Sequence, residues 1–212
     1  MQGITDYIIE FRETHKTEFE VSGHSLKINP NFNQPKWINR IGRVVSVPLH
    51  QEVESPIKKG YEVIVVHTSL LNDFYDKVGK SRSSFLVDDK KDYFRFTPNL
   101  IVMYRESNKH EWKSHLDSVF ISPIKIDKEK KKTPKGLLLP DSIFEKEKGY
   151  KGNQTQQGIV AYSNNNLTKL GIYVGDEVMF KIDREYEFKI NGKTLWHMEN
   201  NDIILHKKTN YK

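Results

Sequence analysis

The amino-acid sequence predicts an all-β protein made of two β domains in tandem, on three observations. The first is a series of short runs rich in Val, Ile, Phe and Tyr, bounded by Gly, Asn, Asp and Pro. They are YIIEF (7–11), GRVVSV (42–47), YEVIVVH (61–67), NLIVMY (99–104), SVFISPI (118–124), GIVAY (158–162), DEVMFKI (176–182), EYEFKI (185–190) and TLWHM (194–198). Runs of this length with partial alternation read as strands of a barrel or sandwich. The second is the lack of long helical stripes: the best helical candidate, SLLNDFYDKVGK (69–80), is short and suits a loop equally well. The third is an internal repeat.

The repeat is carried by matched strand starts. Asp6-Tyr-Ile-Ile-Glu-Phe resembles Asp117-Ser-Val-Phe-Ile-Ser at an offset of 111, and Gly42-Arg-Val-Val resembles Gly158-Ile-Val-Ala at 116. Gly60-Tyr-Glu-Val resembles Gly175-Asp-Glu-Val at 115, and Leu100-Ile-Val-Met resembles Leu195-Trp-His-Met at only 95. Near-equal offsets in one order point to duplication. The final drop places about 20 inserted residues in the first copy, somewhere in 69–92. The expected domains are 1–108 and 109–212, joined near ESNKHEWKSH (106–115).

Composition narrows the function classes. The 212 residues are 36% hydrophobic, 29% charged and 11% aromatic, which suits small domains with economical cores rather than a disordered chain. There is no cysteine, which excludes disulfides, thiolate zinc sites and cysteine nucleophiles. Net charge is +6, a balance more often linked to solubility than to a polyanionic partner. The start of the chain lacks the pattern of a secretory signal, and no run approaches the roughly 20 apolar residues of a membrane span. A cytoplasmic location is expected.

The second copy resembles the small co-chaperonins of the GroES family over residues 115–208, through landmarks in order. Leu116-Asp-Ser-Val-Phe-Ile-Ser-Pro123 is similar to the family's first strand. Thr133-Pro-Lys-Gly136-Leu137-Leu138-Leu139-Pro140-Asp141 is similar to its mobile loop. Gln157-Gly-Ile-Val-Ala161, Val174-Gly175-Asp176-Glu-Val-Met-Phe180 and Asn201-Asp-Ile-Ile204 resemble the strands that follow. There are departures: Lys135 stands where the family has a second glycine, and YSNNNLTKLGI replaces the glycine-rich hairpin of the dome's roof. The first copy keeps GRVVSV and KKGYEVIVV but has no aliphatic triplet in its loop 22–40.

The resemblance implies two GroES-like, partly open β-barrels, the second carrying a mobile loop at about 127–156. It implies that Gly136, Leu137, Leu138, Leu139 and Pro140 bind an ATP-driven, GroEL-like chaperonin, and that a homo-oligomeric ring caps the chamber in which client proteins fold. ATP then belongs to the partner, and this chain needs no cofactor. A divergent, lysine-rich member would also suit a virus-encoded protein working in its host's cytoplasm. Read without the resemblance, an apolar triplet favours a buried strand of the barrel, since such triplets are usually core. Yet lysines 128, 130, 131 and 132 oppose collapse of the segment, Gly136 frees its backbone, and Pro140 fixes its exit. Gly175 and Asp176 read as a structural turn feeding a strand.

Other constellations are weaker. His110 and His115 lack the HExxH spacing, so no metal site is expected. Neither a GxSxG elbow nor a phosphate-binding P-loop occurs, so the chain is not expected to be an enzyme. The alternative from another class is a small β-barrel binding single-stranded nucleic acid through the basic and aromatic residues of KSRSSF (80–85) and KKDYFRF (90–96).

Overall fold

A computed structural model of the chain describes residues 2–11, 18–21, 23–27, 39–51, 53–71, 74–75, 81–88, 90–124, 156–184 and 186–208. They divide into two compact units, Met1–Leu116 and Asp117–Lys212. The first unit contains β1 (Tyr7–Phe11), β2 (Glu18–Val21), β3 (His24–Lys27), β4 (Ile41–Ser46), β5 (Glu62–Val65) and β6 (Phe74–Tyr75). It continues with β7 (Ser81–Arg82), β8 (Leu86–Asp88), β9 (Tyr93–Phe96), β10 (Ile101–Arg105) and β11 (Lys113–Ser114). The second contains β12 (Ser118–Pro123), β13 (Gln157–Tyr162), β14 (Glu177–Phe180), β15 (Tyr186–Ile190), β16 (Lys193–Glu199) and β17 (Ile203–Lys207). A short helix, α1 (Asn165–Lys169), links β13 to β14.

Each unit is one antiparallel sheet wrapped on itself. In the first, the order is β11-β10-β5-β4-β1-β9-β8, with β2-β3 and β6-β7 as separate hairpins. Its core draws Tyr7, Ile9 and Phe11 from β1, Val44 from β4, Val63 and Val65 from β5, Phe94 and Phe96 from β9, and Ile101 from β10 into one cluster. Side chains from neighbouring and distant strands of a single sheet can meet this way only if the sheet curls, as in a barrel. The order β15-β16-β12-β13-β14-β17 does the same in the second unit, around Val119, Ile121, Val160, Val178, Phe180 and Met198.

The two sheets repeat one topology. Reading β8-β9-β1-β4-β5-β10 against β15-β16-β12-β13-β14-β17 matches every strand but β11. The irregularities match as well. β1 and β4 slip register between Ile8 and Ile9, and β12 and β13 slip between Phe120 and Ile121, at an offset of 112 (120 − 8). The pairing of β10 with β5 is interrupted between Ile101 and Met103, and that of β17 with β14 between Ile203 and Leu205, at an offset of 102 (205 − 103).

This register corrects the sequence alignment at both ends. The first strands align at 112 rather than 111. The partner of Leu195-Trp-His-Met is β9, since Phe94 and Trp196 occupy equivalent places opposite Ile9 and Ile121. Leu100-Ile-Val-Met instead matches the last strand, β17. With Glu62 and Glu177 at an offset of 115, the insertion in the first copy is 13 residues (115 − 102), not about 20. It falls between β5 and β8, where His67–Leu70 forms a 3-10 turn and β6 opens a hairpin, so the described residues of 69–80 (69–71 and 74–75) form no α-helix.

The division falls after Leu116 rather than after 108, because ESNKHEWKSH packs on the first unit instead of linking freely. Met103 pairs with Ser114, and Tyr104 with Lys113. The Arg105 guanidinium lies 4.3 Å from the centre of the buried Trp112 ring, and its Nε donates to Glu62 Oε2 at 2.7 Å. His115, 1% exposed, has Nδ1 at 2.9 Å from the Ile101 carbonyl and Nε2 at 2.9 Å from Ser55 Oγ. A carbonyl only accepts, so Nδ1 carries the proton and Nε2 accepts from Ser55. Burial lowers the His115 pKa, in keeping with this neutral ring.

Two predictions arise from this packing. Burial, with Arg40 adding repulsion, lowers the pKa of His67 from 6.5 to about 4. The unfolded chain therefore binds this proton first, and stability should fall as pH drops from 6.5 toward 4. Thermal unfolding of His67→Gln across that window should show a shallower slope than the parent chain. The second concerns the glycines at the β4 and β13 starts. A Cβ at Gly42 would overlap Ile9 Cγ2 and approach Phe11 Cζ to 2.8 Å, and one at Gly158 would overlap Ile121 Cγ2 and approach the Ser122 carbonyl to 2.9 Å. Gly42→Ala and Gly158→Ala should each destabilise by about 1–3 kcal/mol, read by urea unfolding.

Candidate functional site

The loop-binding residues Gly136, Leu137, Leu138, Leu139 and Pro140 lie outside the described residues. The frame from which their segment springs is described. Pro123, at the end of β12, is the register partner of Gly158 near the start of β13. The intervening 33 residues, 124–156, thus begin and end on adjacent antiparallel strands. Both feet are fixed. Gly158 is seated against Ile121, and the Gln156 carbonyl accepts from Phe180 N–H at 3.0 Å. At the matching place in the first unit, β1 and β4 frame residues 12–40, within which β2 and β3 form a hairpin turning at Gly23 (φ +80°).

Gly175 and Asp176 build the turn into β14. Gly175 has φ +95°, and its N–H donates to the Val160 carbonyl at 2.8 Å while Val160 N–H returns a bond to the Asp176 carbonyl at 2.9 Å. A left-handed φ of this size suits glycine alone. The first unit repeats the arrangement. Gly60 has φ +90°, its N–H reaches the Val44 carbonyl at 2.8 Å, and Val44 N–H reaches the Tyr61 carbonyl at 2.9 Å. The Asp176 carboxylate adds a bond that Tyr61 cannot make, accepting from Tyr173 N–H at 2.9 Å.

Sequence reasoning missed the asparagine cluster that takes the place of a hairpin between β13 and β14. Asn164, 6% exposed, caps α1 by accepting from Asn166 and Leu167 N–H, each at 3.0 Å. Its amide nitrogen donates to the Ser118 carbonyl at 2.8 Å and to Asn200 Oδ1 at 2.7 Å. Asn200 and Asn166 both donate to Asp117 Oδ1, at 2.8 and 3.0 Å. One side chain thus ties the start of β12, the helix and the approach to β17 together. The run SNNNL signals an N-cap, but its long-range partners have no sequence signature.

The alternative basic–aromatic face is smaller than the sequence suggests. Strand alternation sends Phe94 and Phe96 into the core against Phe11, with centroids 5.6 Å away in both cases, and Phe85 stacks on Phe96 at 6.0 Å. Arg95 and Tyr93 remain outward, with Lys91 Nζ 5.7 Å from the Tyr93 ring centre. Nor do the histidines converge: His110 bonds Ser107 at 2.9 Å, whereas His115 is enclosed by Ser55 and Ile101. Among the described residues no group of three or more potential metal ligands occurs. No described helix is long and apolar enough to cross a membrane.

Truncating the cap should be costly, because it strands the Ser118 carbonyl and frees the helix start together. Asn164→Ala should lower stability by about 1–3 kcal/mol in urea unfolding, more than the loss of an exposed cap.

Residues 112–206 match the sequence profile of the family described as the chaperonin 10 Kd subunit. A search of curated proteins gives no significant match. The matched region runs from β11 into β17, stopping one residue short of its end, and includes the feet of the 124–156 segment, the Gly175 turn and the asparagine cluster. The C-terminal region of this chain is thus similar to the chaperonin 10 family, the GroES-like co-chaperonins.

Proposed function

We propose that the protein is a non-catalytic co-chaperonin that caps a GroEL-like chaperonin through Gly136–Pro140, enclosing client proteins while they fold. The observation that carries this is the family match over residues 112–206, together with the place of Leu137, Leu138 and Leu139 within it. The triplet sits between Pro123 and Gly158, which pair across adjacent strands and so set the ends of the segment side by side. ATP hydrolysis belongs to the partner. The first unit, of the same strand order but without a triplet, serves as a remodelled second barrel of the lid. A virus-encoded origin, with action in the host cytoplasm, would suit a member this divergent.

The energetics favour many weak contacts over one strong one. Burying one leucine contributes about 1.5–3 kcal/mol. Ordering a flexible segment costs roughly 2–5 kcal/mol of the gross gain. One loop alone would therefore bind weakly. Several on one ring gain about 10²–10⁴ in avidity when their spacing matches the partner. A lid of this kind holds firmly yet releases when the chaperonin's nucleotide state alters its grooves.

The test is co-sedimentation with a GroES-dependent chaperonin and, separately, with the chaperonin of the natural host. The parent chain should pellet only with nucleotide present, and Leu138→Asp should lose at least about tenfold in affinity with an unchanged melting temperature. Failure of the parent chain with both chaperonins would refute the reading. A marked loss of stability in Leu138→Asp would instead place the leucines in the core.

A further inference from the structure

The tie between Ser55 and His115 has the geometry of a serine held against its base. His115 is 1% exposed, and its Nδ1–H is held by the Ile101 carbonyl at 2.9 Å, so the ring keeps one tautomer and one orientation. Nε2 therefore turns its lone pair to Ser55 Oγ, 2.9 Å away. Tyr7, wholly buried, also hydrogen-bonds Ser55, while Gln51 Nε2 donates to the Tyr7 hydroxyl oxygen at 3.4 Å. The single Ser55 hydrogen goes to His115, so Tyr7 is the donor in their bond and the Ser55 hydroxyl is fixed in direction.

The two partners differ in access. His115 is enclosed, whereas Ser55 is half-buried on a loop whose Val53, Glu54 and Pro56 are exposed. A reachable hydroxyl, backed by an imidazole that a third group orients, is the arrangement that activates a serine. The Ile57 N–H, 3.4 Å from Ser55 Oγ, is a main-chain donor beside the point of attack. Negative charge developing on a carbonyl oxygen there would meet a partner. Burial holds His115 below its ordinary pKa, so at pH 7 the ring is neutral and able to accept a proton.

We propose that Ser55 is an activated nucleophile that takes an acyl group from activated carboxylic esters, with His115 as its general base. Ser55 Oγ attacks the carbonyl carbon while its proton passes to His115 Nε2. The tetrahedral intermediate collapses, the bond to the leaving oxygen breaks, and that oxygen departs with the proton from Nε2. The products are an ester of Ser55 and a free alcohol or phenol, with His115 neutral again. The exposed Val53 and Pro56 beside Ser55 suit short, apolar acyl groups. The step is acylation of the first unit; capping itself needs no chemistry. It requires neither the 124–156 segment nor a chaperonin, so either reading can fail while the other stands.

Ser107 supplies a comparison within the same chain. Its Oγ lies 2.9 Å from His110 Nδ1, but His110 is exposed, and its other ring nitrogen is 3.9 Å from Glu106, beyond hydrogen-bond reach. The full chain is treated with p-nitrophenyl acetate at pH 7, quenched in acid and mapped by peptide mass spectrometry. Acetyl should appear on Ser55 at least about tenfold faster than on Ser107. Ser55→Ala should remove that adduct, and folded His115→Gln should label Ser55 about 100-fold more slowly. No acetyl on Ser55, or labelling no faster than on Ser107, would overturn the proposal. So would a folded His115→Gln chain that labels Ser55 at the parent rate. Where melting shows that variant unfolded, the ratio of Ser55 to Ser107 in the parent chain decides alone.

Discussion

Both units depend on a bare stretch of backbone lying against an isoleucine. At Gly42 and Gly158 the strand passes so close to Ile9 and Ile121 that a single methyl group would collide with them. The approach comes within a few residues of the register slips at Ile8/Ile9 and Phe120/Ile121, where a bulge bends the strand and strengthens its twist. Bend and close approach together curl each sheet enough for a one-sheet core to meet itself. The Gly60 and Gly175 turns then return the chain into β5 and β14, through main-chain bonds to Val44 and Val160 that are alike in both units. Large side chains vary freely around this frame: Trp196 faces Ile121 where Phe94 faces Ile9.

Where the copies diverge, they do so between the conserved contacts. The offset grows from 112 to 116 across the loop between the first two strands, so that loop is four residues longer in the second unit (116 − 112). It shrinks from 115 to 102 between β5 and β9, where the first unit carries its 3-10 turn and additional hairpin. Neither change touches the paired strand ends. Loop length costs little once the ends are fixed, rising only about 0.6 kcal/mol per doubling. A barrel pinned at two glycine sites can therefore accept long charged inserts such as 124–156 without losing its core.

Much of this frame was legible in the sequence, and the reasons are specific. Gly-x-Val and Gly-x-Glu-Val recur because glycine is the one residue that fits those positions, so the 115 and 116 offsets were right. β9 was hidden because YFRF reads as a basic–aromatic surface, although alternation buries both phenylalanines. That gap let the apolar IVM of β10 pair wrongly with LWHM. β11 is two residues long, a lysine and a serine, so nothing local marks it as a strand; its support comes from the buried Trp112 and from His115, which looked like part of a linker. The contacts of Asn164 with Ser118 and Asn200 span 46 and 36 residues, a range at which local patterns are silent.

The proposed function asks a weak binding segment and a stable barrel to share one short chain. Apolar residues exposed for binding would normally threaten the fold that carries them, since they gain by collapsing onto its core. Here the segment's feet are Pro123 and Gly158, and the space beside Gly158 is already filled by Ile121 and the Ser122 backbone. The described interior beside it is closely packed: Val119, Ile121 and Phe180 are each 0% exposed. Lysines 128, 130, 131 and 132 lie close in the sequence, and like charges this dense oppose compaction.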